Sequence, residues 1–338
     1  MSKQLSRRDF IKRSSGAVVA GSLVMSGVDK VIASTDKTTE MATIIDLTKC
    51  DGCQAKDTPL CVLACREKNN NRFPKVNKEE LKPYWPQTFN EDWSDKQDMT
   101  SRLTPYNWSF VDKVEVEHKG VKEQLHVPRR CMHCDNPTCK GLCPFGAITK
   151  DKHGAVKIDD GMCMGGAKCR DVCPWDIPQR QAGVGIYMNI APEYLGGGVM
   201  YKCDMCADLV AEGKNPSCVT ACPNEALLFG SKEDMRKLAY EMAKEVNGYV
   251  YGDKENGGTG TYYVSKIPFE KINEAIKNSK KEQGDTKPGR PLMPVVVDNK
   301  LDSVSGMALS AAIAPVAGIT AAGFIAYRKM KGEQNREV

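Results

Sequence analysis

From residue 113 to 127 the chain reads KVEVEHKGVKEQLHV, with apolar and polar positions alternating on either side of a Lys-Gly pair. A period of two with a turn-forming pair in the middle predicts a β-hairpin. Further along, SKEDMRKLAYEMAKEV (231–246) puts Met235, Leu238, Ala239 and Met242 on one helical face, with Ser231 as N-cap and Asp234 three residues on. That spacing predicts an amphipathic helix. The next stretch, GDKENGGTGTYYV (252–264), reads as a loop running into a short strand. Residues 278–302 turn charged and proline-containing, the composition of a linker. Trp85, Trp93 and Trp108 punctuate otherwise irregular sequence and read as core or interface residues rather than redox relays.

Two uncharged runs stand apart from these patterns. Residues 14–28 follow Arg7 and Arg8 and precede the small residues of VIAS, and a basic, then short apolar, then small-residue order predicts a signal peptide over 1–33. SRRDFIK resembles the twin-arginine class, whose translocase carries proteins already folded, so cofactors can be inserted in the cytoplasm before export. The second run, 303–327, is uncharged for 25 residues. As a helix it would be about 37 Å long, enough to cross a hydrocarbon core of ~30 Å. Arg328, Lys329 and Lys331 follow it, and the positive-inside rule then puts the tail 328–338 in the cytoplasm and the body of the chain outside.

With 338 residues the chain can bury a core that needs no disulfides. Its net charge of +5 sits mostly in the first 33 residues, and no long basic run marks the remainder, so a nucleic-acid surface is not indicated. The 15 cysteines change the picture. They form four groups: Cys50, Cys53, Cys61 and Cys65; Cys131, Cys134, Cys139 and Cys143; Cys163, Cys169 and Cys173; Cys203, Cys206, Cys218 and Cys222. The interval 66–130 contains none.

Each group closes with a C-x3-C step, and three end in Cys-Pro. CKGLCPFGAIT, CVTACPNEALLF and CRDVCPWDIP look like copies of one unit, which suggests duplication of a small module. A C-x2-C step spans at most roughly 10–11 Å extended, and curled it brings two thiolates to adjacent corners of one compact cluster. The fourth cysteine of such a run characteristically reaches the neighbouring cluster. Soft thiolates select Fe–S clusters, zinc or Cu(I). Zinc ribbons do not need the C-x3-C-P ending, and an exported disulfide scaffold is the remaining competitor. The third group lacks one cysteine: Gly166 stands where a C-x2-C loop would place its second thiol.

CMHCDNPTCKGLCPFGAITKDKHGAVKID and YKCDMCADLVAEGKNPSCVTACPNEALLFGSKEDM resemble the four-cluster ferredoxin-type electron-transfer subunits of membrane-bound oxidoreductases, from about Ile44 to Tyr240. That family includes formate dehydrogenase β subunits and hydrogenase-associated iron–sulfur subunits, and the export signal with one C-terminal helix is most similar to the latter. The resemblance implies an α+β fold of duplicated ferredoxin-like two-cluster modules over 41–230. The region 66–130, with its hairpin, is inserted between the first and second motifs. Residues 231–302 then supply a helix, a strand and a linker to the transmembrane helix 303–327.

In the family the first motif pairs with the fourth and the second with the third. Carried over, Cys50, Cys53, Cys61 and Cys222 hold one cluster, Cys203, Cys206, Cys218 and Cys65 another, and Cys131, Cys134, Cys139 and Cys173 a third. Cys163, Cys169 and Cys143 remain, with Gly166 at the vacant position. A [3Fe–4S] cluster needs only three thiolates, so three [4Fe–4S] clusters and one [3Fe–4S] are expected. A fourth [4Fe–4S] with a water or oxygen ligand, or loss of that cluster, are the alternatives. His133, inside CMHC, is not read as a ligand, since its neighbours already fill the cluster; a role beside the cluster and a plain surface or packed histidine are both open.

The implied role is an electron relay at the periplasmic face of the inner membrane. Its expected partners are a catalytic subunit, either a hydrogenase or a molybdopterin enzyme such as formate dehydrogenase, and an integral membrane cytochrome or quinone-reactive subunit. No acid–base pair, nucleophile or pterin-binding pattern stands out for catalysis by this chain alone. A scaffold or assembly factor holding clusters structurally is the competing class.

Overall fold

The computed structural model describes residues 39–82, 89–190, 192–193, 197–285 and 287–302. The signal peptide expected over 1–33, the membrane helix over 303–327, the tail 328–338 and Trp85 lie outside the described residues. Among the described residues no helix is long and apolar enough to cross a membrane.

In chain order the strands are β1 (Met41–Asp46), β2 (Phe110–His118), β3 (Val121–Arg129), β4 (Ile148–Lys150), β5 (Val156–Ile158), β6 (Gln179–Gln181), β7 (Val199–Tyr201), β8 (Leu227–Ser231), β9 (Tyr249–Tyr251) and β10 (Thr261–Ser265). The helices are α1 (Leu60–Asn69), α2 (Thr138–Gly141), α3 (Lys168–Asp171), α4 (Ala207–Ala211), α5 (Ser217–Thr220), α6 (Lys232–Glu245) and α7 (Phe269–Glu282). The mixture of short helices and mostly antiparallel strand pairs is the α+β class expected.

One four-stranded sheet, ordered β8-β1-β10-β9, organises the molecule. β1 pairs antiparallel with β8, Thr43 opposite Phe229, and parallel with β10, Ile44 opposite Tyr262. Because β1 is central and covered on both faces, its sequence is a nearly unbroken apolar run rather than an alternating one. Ala42, Ile44, Tyr262 and Val264 meet Met235, Leu238, Ala239 and Met242 of α6, the face expected for that helix. Its N-cap is also the expected one: the Ser231 hydroxyl accepts from the Asp234 N–H at 3.2 Å. β8 and β10 flank β1 in this sheet, so the stretch 227–265 packs with the strand that precedes the first cysteine motif.

The hairpin of β2 and β3 turns at Lys119 and Gly120, both at positive φ (51° and 74°). Left-handed backbone at two successive positions suits the right-handed twist of the strands. Its buried face carries Phe110, Val114, Val116, Leu125 and Val127. The helix α7 packs Phe269, Ile272 and Ile276 into the same core.

The linker expected over 278–302 is instead a helix end followed by a docked strap. Arg290, buried, donates to Asp112 at 3.0 Å, and Met293 is fully enclosed. The strap's free carbonyls serve as acceptors: Leu292 O for Arg129 at 2.7 Å, Pro294 O for Tyr251 at 2.9 Å and Val297 O for the Asn256 N–H at 2.8 Å. Charge and proline suggested a linker, but Asp285 pairs with Arg102 and Arg290 with Asp112 on the domain, and its prolines give up no hydrogen bond.

Candidate metal centres

The four cysteine groups share one local structure. In each, the residue two after the first cysteine lies in the left-handed region: Gly52 (φ 69°), His133 (50°), Gly165 (67°) and Met205 (63°). For His133 and Met205 that conformation carries strain, held by the surrounding fold. It curls the loop so that an N–H turns back on the first thiol, as Met205 N does on Cys203 Sγ at 3.4 Å. The cysteine that opens each closing C-x3-C step is then the second residue of a helix: Cys61 in α1, Cys139 in α2, Cys169 in α3 and Cys218 in α5. After Cys143, Cys173 and Cys222, the third residue on is again left-handed, Gly146, Asp176 and Glu225, and leads into β4, β6 and β8. The first group departs here, since α1 runs on through Cys65 to Asn69.

All fifteen cysteines are free. They gather by cavity, not by motif. One cavity is walled by Cys50, Cys53, Cys61 and Cys222 with Asp51 and Leu227. A second has Cys65, Cys203, Cys206 and Cys218 beside Arg130 and Trp108. A third has Cys143, Cys163 and Cys169 with Gly166, Ile148 and Met200. The fourth set shows in its electrostatics: burial pushes the Cys134 thiol well up, and Cys131, Cys173 and Cys139 push it further.

The same repulsions place the sets in a row. Burial raises Cys61, and the largest charge acting on it is Cys218 of the next set. Burial drives Cys203 up to about 12, opposed by Arg130 and reinforced by Cys131 of the set beyond. Cys169, also raised by burial, feels Cys163 of its own set and then Cys139. The row therefore runs from Cys50/Cys53/Cys61/Cys222 through Cys65/Cys203/Cys206/Cys218 and Cys131/Cys134/Cys139/Cys173 to Cys143/Cys163/Cys169. Four thiolates crowded in a dry cavity are unfavourable without a cation, and polynuclear iron supplies one. Among the described residues no group of three or more His, Cys, Asp or Glu side chains closes on a single-ion position. Thiols set around a cavity fit a cluster, held by the residues just named, better than one tetrahedral zinc.

At the junction of the two inner sets, His133 joins both. Its Nδ1 accepts the Val156 N–H at 3.0 Å, which leaves the proton on Nε2, 3.7 Å from Cys203 Sγ. Burial, then Lys202, Arg130 and Lys150, keep the ring neutral by lowering its pKa well below the usual value. Lys202 is buried, with Nζ donating to Cys203 O at 3.0 Å and to Val156 O. Asn256, on the loop before β10, donates to Cys134 Sγ at 3.2 Å. Arg130, Lys202 and Asn256 escape the motif reading. Arg130 and Lys202 directly precede Cys131 and Cys203, a usable signal, whereas nothing local marks Asn256.

At the three-thiol cavity the two glycines differ. A Cβ on Gly165 would stand 2.4 Å from the backbone of Gly198, while one on Gly166 would meet nothing within 4 Å. Gly166 occupies the backbone position of Cys53, Cys134 and Cys206, three residues after the loop's first cysteine, and steric demand does not explain its missing side chain.

Two family models match, each a 4Fe-4S dicluster domain, over residues 49–147 and 122–232. The chain is 31% identical over 264 residues to the Formate dehydrogenase-O iron-sulfur subunit of Escherichia coli (strain K12), covering 76% of this chain and 74% of that protein. It is 28% identical over 305 residues to the Hydrogenase-2 operon protein HybA of Escherichia coli O157:H7, covering 79% and 83%. A protein of Nitratidesulfovibrio vulgaris (Hildenborough) is 30% identical over 228 residues, and there the chain matches only 54% of the relative's length.

Proposed function

This chain belongs to the 4Fe-4S dicluster iron–sulfur subunits related to those of formate dehydrogenases and hydrogenase-2, and from that premise we propose that it relays electrons between a catalytic subunit and a membrane subunit. The observation that carries this reading is the row of four thiol sets, each drawing a cysteine from a different motif. Iron–sulfur clusters bound there supply one-electron chemistry. The chain's own part is to hold them in order, exclude water and set their potentials through N–H···S contacts and buried charge.

Three [4Fe–4S] clusters and one [3Fe–4S] at Cys143, Cys163 and Cys169 fill the sets. The catalytic partner is a hydrogenase or a molybdopterin enzyme such as formate dehydrogenase, and the membrane partner is a cytochrome or quinone-reactive subunit. Segments 1–33 and 303–327 serve as a twin-arginine signal and an anchor, which puts the cluster domain on the periplasmic side.

Potentiometric titration of the purified chain, followed by electron paramagnetic resonance (EPR), tests the relay. Reversible transitions without turnover of formate or hydrogen are expected; clusters that cannot be cycled would make it a scaffold. Co-purification with nickel, or with molybdenum or tungsten, identifies the catalytic partner. Protease added to cells with a permeabilised outer envelope should cut the cysteine domain and spare the tail after Arg328, and the reverse pattern would overturn the topology.

A further inference from the structure

Arg130, which follows β3, is 4% exposed and lies in the wall of the cavity of Cys65, Cys203, Cys206 and Cys218. Its Nη1 is 3.9 Å from Cys218 Sγ, while Nε and Nη2 are buried with no hydrogen-bond partner among the described residues. The ionisable groups that act on it most are Cys218, Cys203, Tyr263 and Cys206, and the carboxylate in the same cavity wall, Asp204, is paired with Arg72. Other arginines have different surroundings. Buried Arg290 meets Asp112 at 3.0 Å, half-buried Arg170 and buried Arg180 meet Glu91 at 2.9 and 3.2 Å, and Arg129, which also leaves Nε and Nη1 unpartnered, donates to the Leu292 carbonyl and lies over the Tyr263 ring rather than in the wall of a thiol cavity.

A guanidinium cannot shed its proton, and a lone buried charge costs several kcal/mol. Arg130 therefore needs an anion in that cavity. A cluster held by four thiolates is anionic and gains one further negative charge on reduction, so a fixed cation beside it favours the reduced form. The cavity of Cys50, Cys53, Cys61 and Cys222 has Asp51 in its wall and no cation.

We infer that Arg130 is a potential-setting residue, the fixed counter-charge of the site formed by Cys65, Cys203, Cys206 and Cys218. It holds that site's reduction potential above that of the site formed by Cys50, Cys53, Cys61 and Cys222. This rests on the cluster-bearing reading, whose failure would show first as a parent chain without clusters.

The test is EPR-monitored redox titration with iron analysis of the parent chain, Arg130→Gln and Arg130→Lys. In Arg130→Gln one [4Fe–4S] transition should fall by at least tenfold in its reduction equilibrium, about 59 mV for one electron, with the others unmoved. Arg130→Lys should fall by less than half as much. Intact clusters with no shift in Arg130→Gln, or equal shifts in both variants, would overturn the assignment. If Arg130→Gln fails to retain clusters, iron content in Arg130→Lys decides. Retention means that charge is required; loss there too means that the guanidinium's shape is, and the inference falls.

Discussion

The two ends of the row open on the same curl and then diverge: Cys53 is left-handed (φ 52°) where Gly166 is not, and α1 runs ten residues where α3 runs four. The loop from Cys50 curls at Gly52 (φ 69°) and returns a second thiol at Cys53; the loop from Cys163 curls at Gly165 (φ 67°) and returns Gly166. A helix carries a thiol at its second position at both ends, Cys61 in α1 and Cys169 in α3. The curl, the helix and the crossed fourth cysteine are thus separable from the ligand count. On the proposed ligation, one end does without a thiol that the other end has.

The largest effects should come from breaking the crossing that both ends share. Cys143→Ala removes a thiol from the three-thiol end although it belongs to the second motif. It should abolish that end's EPR signal and leave the set of Cys131, Cys134, Cys139 and Cys173 intact. Loss of the latter signal instead would mean that ligation follows sequence order. Cys222→Ala is the mirror case and should cost the cluster of Cys50, Cys53 and Cys61.

Gly166→Cys sharpens the comparison by making the two ends alike. With open space for a Cβ at Gly166, the variant should fold normally, gain iron and replace a three-iron signal with a four-iron one. An unchanged iron content and spectrum would show that residue 166 does not face the cluster.

A smaller effect separates the adjacent glycines. Gly165→Ala meets the Gly198 backbone at 2.4 Å and needs positive φ, so it should destabilise the chain by about 2–4 kcal/mol. Gly166→Ala should stay within about 0.5 kcal/mol. Anaerobic thermal unfolding of the two variants compares them, and equal losses would remove the steric distinction.

Much of this was legible before any coordinates, and for a physical reason. Cysteine spacing is local, and a curled C-x2-C loop or a helix carrying Cys139 imposes its geometry within a few residues. The hairpin at Lys119 and Gly120 and the α6 face of Met235, Leu238, Ala239 and Met242 are likewise written in short periods. What escaped is long-range. Parallel pairing of β1 with β10 joins segments some two hundred residues apart and left no mark that would have placed 261–265 in the cysteine domain. The strap looked like a linker because its buried ion pair depends on Asp112, far away in sequence. Asn256 reaches Cys134 only because that loop is folded across it.

On the proposed reading the chain carries a mixed row, with a three-iron cluster where Gly166 stands in place of a fourth thiol. EPR of the fully oxidised, anaerobically purified protein, with iron quantified per chain, tests it most directly. The expected result is a three-iron signal near one spin per chain and iron for three [4Fe–4S] clusters plus one [3Fe–4S]. An EPR-silent oxidised protein with iron for four [4Fe–4S] clusters would contradict it.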